Sequence, residues 1–163
     1  MVSRKAGIVA IAGAIVFGLA GCALLPHEPK FGGLSGLTEN SKGDLVGLVQ
    51  MCDGSVSGGY LWSGHGANET TLVSVDFPHD VSGYYAFSLG DMNAIVSRMS
   101  PHTTYILNVD GNDWAANDVE FKPSQLSNLA PGHVLADDIH HKGDVIMSTS
   151  DFRKSACSAE WGY

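Results

Sequence analysis

His133, Asp137, Asp138, His140, His141 and Asp144 fall close together and form the densest set of metal-ligating side chains in the sequence. Imidazole and carboxylate suit zinc or another divalent cation. On a strand, however, His140 and His141 point to opposite faces and do not naturally share an ion. A solvated polar loop between two strands accounts for the same residues. Asp110, Asn112, Asp113, Asp118 and Glu120 offer oxygen ligands for calcium. That segment lacks the glycine at loop position 6, and Phe121 stands where an EF-hand requires glutamate. Asp110-Gly111 between β-like runs reads as a hairpin turn.

Nucleophilic chemistry has little support. The chain holds no Gly-x-Ser-x-Gly elbow, no Ser-x-x-Lys and no His-Glu-x-x-His. Cys52 sits in Met-Cys-Asp, where the neighbouring acid raises a thiol pKa instead of activating it. The aromatic residues offer a binding surface: Tyr60, Trp62, Tyr84, Tyr85, Trp114 and Trp161 can stack on sugars or anchor a protein partner. Tyr84 and Tyr85 must point opposite ways on a strand, so one leaves the core. Trp114, beside the Asp-rich turn, and Tyr84 are the best exposed candidates.

These groups must be positioned by a chain of 163 residues, 44% hydrophobic and 16% charged. That composition fits one folded domain and excludes wholesale disorder. A formal charge of −8 argues against a nucleic-acid binder, which needs a basic footprint.

The first 21 residues read as an address rather than as fold. Arg4 and Lys5 precede an uncharged apolar run, Ala6 to Leu19. At roughly 14 residues that run is shorter than the ~20 needed to span a bilayer. Leu19-Ala20-Gly21-Cys22 follows, and it resembles the lipobox of bacterial lipoproteins. The resemblance implies that Cys22 becomes the first residue and carries a diacylglycerol-type lipid. The mature chain is then expected outside the cytoplasm, anchored most simply to the outer face of the plasma membrane. Losing Arg4 and Lys5 deepens its formal charge to about −10, which favours standing off an anionic surface. With Cys22 lipidated, Cys52 and Cys157 remain, and an oxidising compartment favours a disulfide between them.

Residues 22–42 read as a flexible tether, punctuated by Pro26, Pro29, Gly32, Gly33 and Gly36. Residues 43–163 then read as the domain. Strands are predicted over 45–52, 56–62, 70–77, 84–89, 103–109, 119–121 and 144–150, with Pro78-His79-Asp80 breaking the third. A short helix capped by Asp91 is predicted over 91–99, and one turn over 124–129. The expected fold is all-β: a single Ig-like or prealbumin-like antiparallel β-sandwich of about seven or eight strands, with at most one or two short helices.

Three stretches carry a second resemblance. Gly47-Leu48-Val49 with Asp53-Gly54-Ser55-Val56, Asp80-Val81-Ser82-Gly83-Tyr84-Tyr85-Ala86-Phe87, and Pro101-His102-Thr103-Thr104-Tyr105-Ile106-Leu107 occur in order. They are similar to the turn-and-strand pattern of carboxypeptidase-regulatory-like, or prealbumin-like, sandwich domains. His102 departs from the usual glycine, and residues 111–163 lie outside the likeness. The resemblance implies a noncatalytic accessory or binding role and transfers no catalytic residue.

The expectation is therefore a lipid-anchored envelope module without enzymatic activity and without a resident cofactor. Its partner is a protein or an envelope glycan, not nucleic acid. The alternatives are a divalent-metal-binding lipoprotein using the 133–144 cluster, and a cell-wall hydrolase without a recognisable motif.

Overall fold

The computed structural model describes residues 28–64, 69–138 and 143–158, with Asp138 described in its backbone only. Its strands are β1 Lys30–Glu39, β2 Asp44–Met51, β3 Val56–Ser63, β4 Thr70–Val81, β5 Tyr84–Asp91, β6 Tyr105–Asp110, β7 Trp114–Asn117, β8 Val119–Phe121, β9 His133–Asp138 and β10 Gly143–Ser148. Three short helices complete the described residues: α1 Met92–Val96, α2 Pro123–Leu126 and α3 Thr149–Ser155. The protein is all-β, as its composition of short turn-bounded runs predicts. The ten strands, more than the seven or eight expected, form one hydrogen-bonded sheet. That sheet curls until it nearly closes as a barrel-like sandwich.

Around the barrel the strands run β5, β2, β1, β7, β6, β3, β4. β4 hands over to β5 through Ser82-Gly83, where Gly83 takes φ +115°. Phe77 of β4 crosses this seam to meet Tyr85 and Phe87 of β5, with ring centroids 5.0 and 4.9 Å apart. Rings thus close the side of the barrel where no strand ladder does. β4 continues through Pro78, which was expected to end it. A terminal strand tolerates proline because no neighbour needs its missing N–H.

The largest correction concerns the tether. Residues 22–27 lie outside the described residues, but Lys30–Glu39 is a strand at the middle of the sheet, so the domain includes it instead of starting at 43. Gly32 to Thr38 are all buried. Leu37 faces the barrel interior with Leu45, Leu61, Leu107 and Phe121. Leu34 faces outward into a second core with Leu48, Val134, Phe152 and Ala156. A strand buried on both faces has no polar face, so it shows no alternation in sequence. Its glycines are there for close approach. A Cβ on Gly36 would lie 2.5 Å from a Val134 methyl and 3.1 Å from the Phe152 ring.

The second core explains α3. This helix, whose first residues were expected to continue a strand, lies across the outer face of β1, β2 and β9 and drives Phe152 into it. Ser148 caps it by accepting from the Asp151 N–H at 3.1 Å. Just past its C-terminus, Cys157 is bonded to Cys52 beyond the end of β2. The staple spans 105 residues, so it removes a large loop-closure entropy from the unfolded chain.

Two outcomes are expected in chemical denaturation. Gly36→Ala should lower the unfolding free energy by about 1–3 kcal/mol through overpacking. Gly143→Ala, with open space around its Cβ, should change it by less than about 0.5 kcal/mol. Reducing the disulfide should remove about 4 kcal/mol; a reduced protein with an unchanged denaturation midpoint would contradict its structural role.

Candidate functional site

β2 occupies one edge of β1 from Gly33 to Glu39. The opposite edge is divided. β7 runs parallel to β1 over Lys30–Leu34, with Leu34 level with Asn117, and β9 meets it antiparallel at Leu37, level with Leu135. The two partners therefore diverge from β1 within three residues. Ser35 stands in the fork and donates from its hydroxyl to the Asn117 carbonyl at 2.6 Å.

A cleft of about 560 Å³ opens from this fork. Asp118 and Glu120 enter it from the β7–β8 side, and Asp137 and Asp144 from the β9–β10 hairpin. The hairpin register places Asp144 directly opposite Asp137. Asn117, Thr104, Lys122 and Gln125 add amide, hydroxyl and ammonium groups. Gln125 is held by both walls: its Oε1 accepts from the Lys122 N–H at 2.6 Å, and its Nε2 donates to Asp144. Pro123 starts α2, the single turn that carries Gln125. Phe31, 61% exposed, stands at the edge of the cleft.

Asp118 is the electrostatic centre. Burial pushes its carboxyl up to about 6, and Asp110, Glu120 and Asp137 push in the same direction. The Asn108 amide, donating at 2.8 Å, only partly offsets them. Next to it on β3, Tyr60 is level with Asn108 and donates to Asp110 at 3.0 Å. Burial, and then this bond to Asp110, raise the Tyr60 phenol to about 12, so it remains a donor at any working pH. Desolvation thus makes Asp118 a carboxylate that gains from a donor or cation arriving in the cleft.

The residues singled out from sequence distribute as follows. Asp137 and Asp144 come together in the cleft. His133 pairs with Ser148 at the other end of the hairpin, about 13 Å away along the strand. His140 and His141 lie outside the described residues, as does Cys22. Among the described residues, no three His, Cys, Asp or Glu side chains converge as a metal-ligand set. Trp114 is half-buried: its ring covers Gly54, where any Cβ would come within 2.2 Å, and Lys30 Nζ sits 5.5 Å from its centroid. Tyr84 is half-buried beneath the Arg153 guanidinium, 4.5 Å from its centroid, while Tyr85 faces the core and Phe77. Both aromatics therefore hold structure together as well as meeting solvent. Phe31, Glu120, Asn117 and Gln125 were not foreseen as one site. Their convergence depends on the fork in β1, and β1 carries no local strand signal.

Comparison with known proteins adds no relative. The chain matches no family model, no curated protein and no solved structure.

The raised Asp118 carboxyl fixes a sign. The folded state binds its proton more tightly than the unfolded chain does, so charging Asp118 costs stability as pH rises from about 4 to about 6, and the full cost persists above that. Asp118→Asn keeps an acceptor for Asn108 and removes the charge. It should stabilise the protein at pH 7.5 by about 1 kcal/mol, allowing for the partial exposure of the group. The gain should shrink toward zero by pH 4. Thermal melts of both proteins across that range check it; a gain that grows toward low pH would contradict the assignment.

Proposed function

We propose that this protein is a lipid-anchored, noncatalytic binding module of a bacterial cell envelope, and that it takes an envelope glycan in the cleft at the β1 fork. The observation that carries the ligand reading is the exposed Phe31 ring beside a polar cleft of about 560 Å³. An aromatic face stacks on the apolar face of a sugar ring. Carboxylates and amides around it accept and donate to ring hydroxyls, which is the mixture a saccharide requires. Among the described residues, four carboxylates stand against Lys122 in the cleft, a balance that favours glycans bearing free amino groups over acidic ones. The anchor reading rests on the Leu19-Ala20-Gly21-Cys22 lipobox and the charged and apolar regions before it. Two or more acyl chains hold a protein stably at a membrane. The chain lacks the serine- and zinc-hydrolase motifs; a glycosidase would use a carboxylate pair instead, so turnover is measured beside binding.

The primary test is a panel of envelope glycans against the purified mature protein. Phe31→Ala should weaken the best ligand about tenfold, as expected from losing one stacking contact. Equal binding by wild type and variant would contradict the cleft. Turnover of the glycan, abolished in Asp118→Asn, would replace binding by hydrolysis. Cys22→Ala should release the chain from membranes, and retention of that variant would contradict the lipid anchor.

A further inference from the structure

On the opposite side of β1 lies a second, smaller pocket of about 340 Å³, lined by Gln50, Ser150, Arg153 and Lys154. Its chemistry is the reverse of the first. The chain carries 17 Asp and Glu against nine Lys and Arg, yet no carboxylate lines this pocket among the described residues. Ser150, Arg153 and Lys154 stand at i, i+3 and i+4 on α3 and so share one helix face. Arg153 is already ordered, with its guanidinium stacked on Tyr84. A pre-positioned arginine loses little freedom on meeting an oxyanion, and its planar fork matches phosphate. The nearest helical carboxylate, Asp151, is engaged by the Ser148 hydroxyl at 2.6 Å.

The position of the pocket identifies the anion. Gln50 is level with Leu34, four residues into β1, so the pocket belongs to the half of the sheet that the N-terminal segment enters. Only seven residues separate Cys22 from Lys30, so the eight steps between them reach at most about 28 Å. Glu28, Asp53 and Asp113 are exposed at the same end and keep the domain from lying flat on an anionic surface. A single cationic pocket then offers one point of contact. We infer that Gln50, Ser150, Arg153 and Lys154 form a site for the phosphate group of an anionic phospholipid headgroup in the membrane that carries the Cys22 lipid. The source of the phosphate rests on the anchored reading above; the oxyanion chemistry of the pocket does not.

The test uses the mature chain purified from membranes in a neutral detergent. Hydrogen exchange over 148–157 is followed as phosphatidylglycerol, phosphatidylcholine or inorganic phosphate is added. Phosphatidylglycerol should slow exchange of this segment at least fivefold, phosphatidylcholine should not, and millimolar inorganic phosphate should act weakly. Lys154→Glu, which leaves the Arg153–Tyr84 stack in place, should abolish the protection, and Arg153→Glu with Lys154→Glu should do the same. No protection by phosphatidylglycerol, or equal protection in the variants, would overturn the site. Equal protection by inorganic phosphate would overturn the lipid source and assign a free-anion site. Intact mass reads the acyl groups on Cys22 separately, so an unmodified Cys22 would sink the anchor while leaving the pocket to its own result.

Discussion

β1 is buried on both faces, and the rest of the structure depends on how that is managed. One face must meet the barrel interior at Leu37, and the other must meet α3 at Leu34. Burying both needs glycine where Val134 and Phe152 approach the backbone. It also needs a cover for the outer face, and α3 supplies it with Phe152. The Cys52–Cys157 bond then ties the cover to the end of β2, the strand next to β1. A central strand, a helical cover and a covalent staple are thus one solution to one burial problem.

The same strand sets up the surface chemistry. Because β7 and β9 divide one edge of β1, they cannot stay parallel beyond it, and the fork becomes a cleft. Strand ends converging there bring carboxylates from distant parts of the sequence within each other's field. Asp118 bears the consequence as a carboxyl raised to about 6. A charge held in a partly dry site is a cost to folding, and such costs cluster where a ligand is to be met. On the other side of β1, α3 presents Arg153 and Lys154. Among the described residues, carboxylates gather at the fork, while Arg153 and Lys154 stand on the cover.

Legibility from sequence followed how much of each element faces water. β2, β3 and β5 begin within about a residue of prediction, because they carry turn punctuation and β-branched or aromatic runs. The Asp91 cap of α1 was legible too, and the structure shows its carboxylate accepting from the Ala94 N–H at 2.7 Å. The Cys52–Cys157 pairing followed from counting. β1 was not legible, since a doubly buried strand rich in glycine has the composition of a linker. β9 was hidden by its acids, which look like loop until their register in the hairpin is known. The cleft inherits both failures. Asp137 and Asp144 were named from sequence only as members of the His/Asp cluster at 133–144, while Phe31 was assigned to a tether, and Asp118 and Glu120 to a turn.

The central claim is that Lys30–Glu39 is the core strand of the domain and builds the fork. Residue-resolved amide hydrogen exchange of the native protein tests it most directly. The amides of Leu34 to Thr38 should be among the slowest in the molecule, exchanging only through global unfolding. Exchange of that segment within seconds, at the rate of an unstructured leash, would contradict the account.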